Sequence, residues 1–284
     1  MPSFSQYQKK ALAYLVIAAL VLAVICLMAS LALGVIAMIQ RGAPELPSGV
    51  AKQESDKSTP SFDDTSIQAA SCVLDQTADL GQAYIDSMIF VGESTTAHLR
   101  SRGVLTGGKS TKQVWSNESN TMALDLNILR KTINYPETGQ VMTIPQAVAV
   151  AKPRYIVLNF GVNGIQTFSK NETLYTTAYG KLIDAIHQSS PDTIVLLQTV
   201  YPVAANQTTF GEGAEVINGY IARLNALLPD MAVSHDAHVV DTASVLIGSD
   251  GNLRSEYQSG DGIHLTEAAY VQIVTYLRTH GYTK

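Results

Sequence analysis

"RYIVLNF", Arg154–Phe160, begins with one charged residue and then runs through six positions of which Asn159 alone is strongly polar. "DTIVLLQTV", Asp192–Val200, has the same character, with a run of apolar residues at its centre. A strand of this kind offers no face to water, so it must be covered on both sides. That is the pattern of a parallel sheet sandwiched between helices. Three more strand-like runs lie around these two: "MIFVG" (88–92), "KQVWS" (112–116) and "AHVVDT" (237–242). Helix-like runs fall between or after them, at about 95–101, 121–131, 145–151, 172–189, 214–228 and 266–280. Strands alternating with helices predict an α/β, three-layer domain with a five-stranded parallel sheet, over residues 67–284.

The rest of the chain reads differently. Residues 11–39, "ALAYLVIAALVLAVICLMASLALGVIAMI", contain no charged residue and no polar face. As a helix this run would span roughly 40 Å, against about 30 Å of bilayer hydrocarbon. It is too long for a usual signal-peptide core, and no small-x-small cleavage site follows it. Cys26 is preceded by Ile25 and not by the small residue that a lipoprotein site requires. The expectation is an uncleaved transmembrane anchor. Residues 1–10 would form a cytoplasmic leader, whose Lys9 and Lys10 favour an N-in, C-out orientation and place the domain outside the cytoplasm. Residues 40–66 are rich in Pro, Ser and charge and read as a flexible linker, with a typical reach of roughly 30 Å. The two cysteines, Cys26 and Cys72, cannot pair across this arrangement, so no disulfide is expected.

The full chain has 284 residues, is 46% hydrophobic and carries a net charge of −5, with no basic block of the kind that binds nucleic acid. No histidine spacing matches a metal site, so no metal is expected.

In open parallel sheets, ligands bind beyond the carboxyl ends of the strands. Three places meet that condition. Ser94, in "IFVGESTTAHL" (89–99), follows the first strand. Asn163, in "NFGVNGI", follows the third. Asp261 and His264, in "GDGIHLTEAAY", lie after the last strand and just ahead of the final helix. Each has a plain structural reading: a helix cap, an Asn-Gly turn, and a turn followed by a Thr266 cap. Their joint order is the stronger signal.

That order, "VGES … GVNG … DGIHLT", resembles the SGNH/GDSL hydrolases over roughly residues 84–280. The resemblance implies a flavodoxin-like sheet and a serine esterase that needs no cofactor. Ser94 would be the nucleophile, His264 its base and Asp261 the group that orients the base. Asn163 and the backbone N–H of Ser94 would form the oxyanion hole. The sequence departs from the family pattern in three places. Glu93 stands where an aspartate is usual, and Gly164 where an aspartate is frequent. The second block, "VWSNESNT" (114–121), has no glycine, and Asn120 would supply its oxyanion N–H.

Other residues compete for roles. His98, four residues after Ser94, shares its helix face and is a rival base. Asp241 is a rival orienting acid, and Trp115 a rival groove residue. The function expected is release of O-acyl groups, such as acetyl, from a cell-surface glycan such as peptidoglycan, or from a small ester. Two alternatives stay open: an O-acyltransferase using the same residues, and a surface binding domain without activity.

Overall fold

The computed structural model describes residues 72–283. The expected leader, transmembrane span and linker lie outside those residues. Among the described residues, no helix is long and apolar enough to cross a membrane.

The elements follow in the order α1 (Gly81–Asp86), β1 (Met88–Gly92), α2 (Ser94–Arg102), β2 (Val114–Trp115), β3 (Thr132–Asn134), β4 (Val141–Thr143), α3 (Ile144–Ala151), β5 (Tyr155–Asn159), α4 (Ile165–Phe168), α5 (Glu172–Ser189), β6 (Ile194–Gln198), α6 (Ala214–Ser234), β7 (His238–Val240) and α7 (Glu267–Thr279). The main sheet has the order β2-β1-β5-β6-β7, and all of its pairs are parallel. Counting only its five strands, this is the flavodoxin-like order 2-1-3-4-5. The order in which strands are added reverses between β1 and β5, and such switch points are where open parallel sheets bind ligands.

All five residues of β5 are buried. Ile156 and Leu158 point into one apolar layer and Tyr155 and Val157 into the other, which is the period of two a strand imposes. The first layer is closed by α3, α5 and α6, the second by α1, α2 and α7. Each fully buried aliphatic side chain here contributes about 1.5–3 kcal/mol. The two-sided burial read from Arg154–Phe160 is therefore what holds the three layers together.

Two expectations need correction, and one element was not foreseen. No α-helix forms over 121–131, where only a 3-10 turn at Ile128–Arg130 appears. Asp125 Oδ1 accepts the Asn127 N–H, so a side chain takes a donor that a helix would need. The helix beginning at 214 does not stop before Pro229 but runs to Ser234, because Met231 and Ala232 continue its buried face. The antiparallel pair β3–β4 was not expected. Its signal was present in "YPETGQ": the Tyr135 carbonyl accepts from both Thr138 and Gly139, and Gly139 has φ +73°.

Candidate active site

The candidate residues gather beyond the carboxyl ends of β1 and β5. Gly92 ends β1, and no other residue fits there. A Cβ would stand 2.2 Å from Thr96 Oγ1 and 2.3 Å from the Asn159 carbonyl oxygen. This close approach lets the chain turn from strand to helix within two residues, with Ser94 at the first helical position. Glu93 is the N-cap residue and Ser94 caps nothing. The serine hydroxyl instead lies 2.9 Å from His264 Nε2.

His264 comes from the loop that precedes α7. Its Nδ1 lies 2.5 Å from Asp261 Oδ2. The other carboxylate oxygen, Oδ1, accepts the backbone N–H groups of Ile263 and His264, both at 2.9 Å. Partial burial alone would raise the Asp261 carboxyl, but the His264 ring and these two N–H groups outweigh it and hold it at about 2. Between Asp261 and Ile263 stands Gly262, with φ +77°. A Cβ there would lie 2.7 Å from the Gln207 backbone nitrogen, so the turn requires glycine. Thr266 does cap α7, accepting from the Ala269 N–H. The cap and the site are compatible readings of one loop.

Three hydrogen bonds fasten this arrangement. The Tyr270 hydroxyl, on α7, donates to the Thr95 carbonyl at 2.5 Å, tying the helix after His264 to the turn that carries Ser94. The Thr95 hydroxyl donates to Asn159 Oδ1, and Asn159 Nδ2 donates to the Thr199 carbonyl. These partners lie 175, 64 and 40 residues apart, so nothing local in the sequence marks them.

Asn163 follows β5 and its Nδ2 donates to the Met122 carbonyl at 3.3 Å, which leaves the second amide hydrogen of that nitrogen. Ser94, at the start of a helix, has a backbone N–H without an intrahelical acceptor. Asn120 has the left-handed backbone expected of it, with φ +55°. Its N–H, however, donates to the Asn117 carbonyl, and its Oδ1 accepts from Arg100 and Ser116. That corrects its assignment as an oxyanion donor: the N–H is already used to close the turn.

Glu93 is the residue whose role the sequence left open. It is 1% exposed. Its Oε1 accepts the Gly161 N–H and its Oε2 the Asn163 N–H, each at 2.9 Å. The extra methylene relative to aspartate carries the carboxyl across to the loop after β5, where it clamps the backbone that presents Asn163. Burial pushes this carboxyl up to about 8, and the N–H groups of Gly161, Asn163 and Val162 restrain the rise. A group whose folded value lies above its unfolded value of 4.5 stabilises the fold at low pH. That contribution is lost as pH rises through 8. Glu93→Gln is therefore expected to flatten the decline in stability between pH 4.5 and 8. It should also cost about 1–3 kcal/mol, because its Nε2 meets an N–H where an acceptor stood. Urea unfolding at pH 5, 6.5 and 8 checks both. A variant with the native slope would refute the assignment.

The remaining candidates fall elsewhere. Asp241 Oδ1 accepts from the Thr199 hydroxyl, and the carboxylate beside the His264 ring is that of Asp261. Trp115 is 1% exposed and packs edge-on against Tyr135, so it belongs to the core and not to a groove. His98 lies beside the site, its ring centroid 4.7 Å from that of His264.

Known proteins are similar in the same region. Residues 90–271 match the model of the GDSL-like lipase/acylhydrolase family. No curated protein matches the chain in sequence. Among solved structures, a Streptococcus pneumonia protein is 19% identical, with 68% of this chain and 82% of that one covered and a TM-score of 0.48. A GDSL-like lipase from Bacteroides thetaiotaomicron is 16% identical, with 75% and 94% covered and a TM-score of 0.42. A carbohydrate esterase family 3 protein from Talaromyces cellulolyticus is 14% identical, with 67% and 93% covered and a TM-score of 0.43. The family match takes in every residue from the end of β1 to the start of α7, and with it Ser94, Asn163, Asp261 and His264: the chain belongs to the GDSL-like lipase/acylhydrolase family.

Proposed function

We propose that this chain is a serine ester hydrolase that works through an acyl-enzyme. The observation that carries the reading is the unbroken relay from Asp261 through His264 to Ser94, at 2.5 and 2.9 Å. A serine hydroxyl is a weak nucleophile at neutral pH and needs a base to take its proton. As Ser94 Oγ bonds to the ester carbonyl carbon, its proton passes to His264 Nε2. The imidazolium is stabilised by the Asp261 carboxylate at Nδ1. The carbonyl π electrons move onto oxygen, where the Ser94 N–H and Asn163 Nδ2 are the donors. When the carbon–oxygen bond to the alcohol breaks, the leaving oxygen takes the proton from His264. Water then attacks the acyl-enzyme with His264 again as base, releasing the carboxylic acid and restoring Ser94.

The substrate we propose is an O-acyl group, such as acetyl, on a cell-surface glycan such as peptidoglycan. The uncharged run at 11–39 supports it, since a membrane anchor with the domain outside would hold the site next to such polymers. Treatment with a fluorophosphonate probe tests the chemistry. The native protein is expected to be labelled, and Ser94→Ala and His264→Ala are expected not to be. Labelling that survives Ser94→Ala would remove the proposed nucleophile.

A further inference from the structure

His98 sits one helical turn beyond Ser94 on α2, on the face that looks toward the loop carrying His264. The two imidazole rings have centroids 4.7 Å apart and planes inclined at 39°. That is contact distance for an aromatic pair. His98 does not compete for the base's nitrogens, because both are engaged, Nδ1 by Asp261 and Nε2 by Ser94. Its own Nδ1 is buried with no hydrogen-bond partner among the described residues. An unpaired buried nitrogen is unfavourable, and an apolar side chain in the same space would avoid it. Packing of α2 alone therefore does not account for a histidine here.

We propose that His98 is a positioning residue for the base: its neutral ring is the surface against which the His264 imidazole is held while it takes and returns the Ser94 proton. This rests on the esterase reading above. The role requires His98 to remain uncharged, since a cation at this distance would oppose the imidazolium that forms on His264. Its surroundings keep it so. Burial pushes the His98 imidazole below its ordinary range, and the neighbouring His264 ring and Arg102, one turn further along α2, push the same way. Asp261, from the loop, acts in the opposite direction. The other groups near this helix are engaged elsewhere: Arg100 bonds Ser116 and Asn120, and the Tyr270 hydroxyl bonds the Thr95 carbonyl. β1 and β2 contribute apolar side chains to the core beneath α2.

The test compares native protein with His98→Ala, His98→Phe and His98→Arg, using hydrolysis of 4-nitrophenyl acetate and the rate of fluorophosphonate labelling from pH 5 to 9. His98→Ala is expected to lower kcat about five- to tenfold with KM nearly unchanged. His98→Phe, which restores a ring without charge, is expected to recover most of that loss. His98→Arg is expected to lower kcat further and to move the acid limb of kcat/KM down by about half a pH unit or more, because a fixed cation disfavours protonation of the base. A residue that only packs α2 would alter the thermal midpoint and leave the pH profile in place. The inference fails if His98→Ala keeps native kcat, if His98→Phe is no better than alanine, or if the arginine variant has the native acid limb. Native protein that neither hydrolyses the ester nor is labelled at Ser94 would overturn the esterase reading and this inference with it. An active native enzyme with indifferent variants would overturn this inference alone.

Discussion

Ser94→Ala and His264→Ala are each expected to lower kcat by about 10⁶-fold, and the double substitution is expected to be no worse than either alone. The reason is geometric. The hydroxyl and the imidazole nitrogen are 2.9 Å apart, and in the proposed reaction they act as one proton-transfer unit. Without the base, the hydroxyl keeps its proton through the attack. Without the hydroxyl, the base has only a loosely placed water to activate. Either loss disables the same step, so the second loss has nothing left to remove. The activity that remains in all three variants should be about 10³–10⁴ above the uncatalysed rate, from the oxyanion donors and substrate binding. Single-turnover kinetics on an activated ester, with each variant shown to be folded, measures this. A double variant a hundredfold slower than the worse single would mean that the two side chains act independently, and the relay would not be the catalytic unit.

The sequence carried the parts of this molecule that depend on local pattern. Tyr155–Asn159 and Ile194–Gln198 were legible because buried strands leave no polar alternation. Ser94, Asn163, Asp261 and His264 could be nominated because each comes after a strand, where a parallel sheet binds ligands, and the structure brings Ser94, His264 and Asp261 into contact. What was not legible depends on contacts between distant segments. The Glu93 carboxyl finds its donors at Gly161 and Asn163, sixty-eight and seventy residues onward, and nothing in "VGES" reports that reach. The same holds for the Tyr270 hydroxyl on the Thr95 carbonyl, 175 residues apart. Asn120 shows a subtler limit. Its left-handed backbone could be anticipated from residue type, but whether its N–H stays available depends on the turn that Asn117 closes. The helix expected over 121–131 failed for a related reason, since the Asp125 side chain takes the Asn127 backbone donor.

Asp261→Asn is expected to lower kcat by about 10⁴-fold while leaving the fold and KM nearly intact. An asparagine has one oxygen acceptor and one NH₂ donor, and the loop dictates which faces the base. Oδ1 of Asp261 already accepts from the Ile263 and His264 backbone N–H groups, so the amide oxygen of asparagine must take that place. Its NH₂ group is then turned toward His264 Nδ1, at the position of Oδ2. A donor there forces Nδ1 to be the unprotonated nitrogen and places the ring proton on Nε2. In that tautomer Nε2 donates toward Ser94 and cannot accept its proton. Flipping the amide would restore the productive tautomer only by setting NH₂ against two backbone N–H groups, which the loop does not permit. The native carboxylate has a second signature in its pH dependence. Its folded value of about 2 lies below the ordinary 3.8, so its contribution to stability is present above 3.8 and is lost as pH falls toward 2. The asparagine variant should lack that acid-side loss. Kinetics gives the first result, ring ¹⁵N shifts of His264 give the tautomer, and acid unfolding gives the third. An asparagine variant within tenfold of native kcat would show that Asp261 does not set the tautomer of the base, and Asp241 or solvent would have to be reconsidered as its partner.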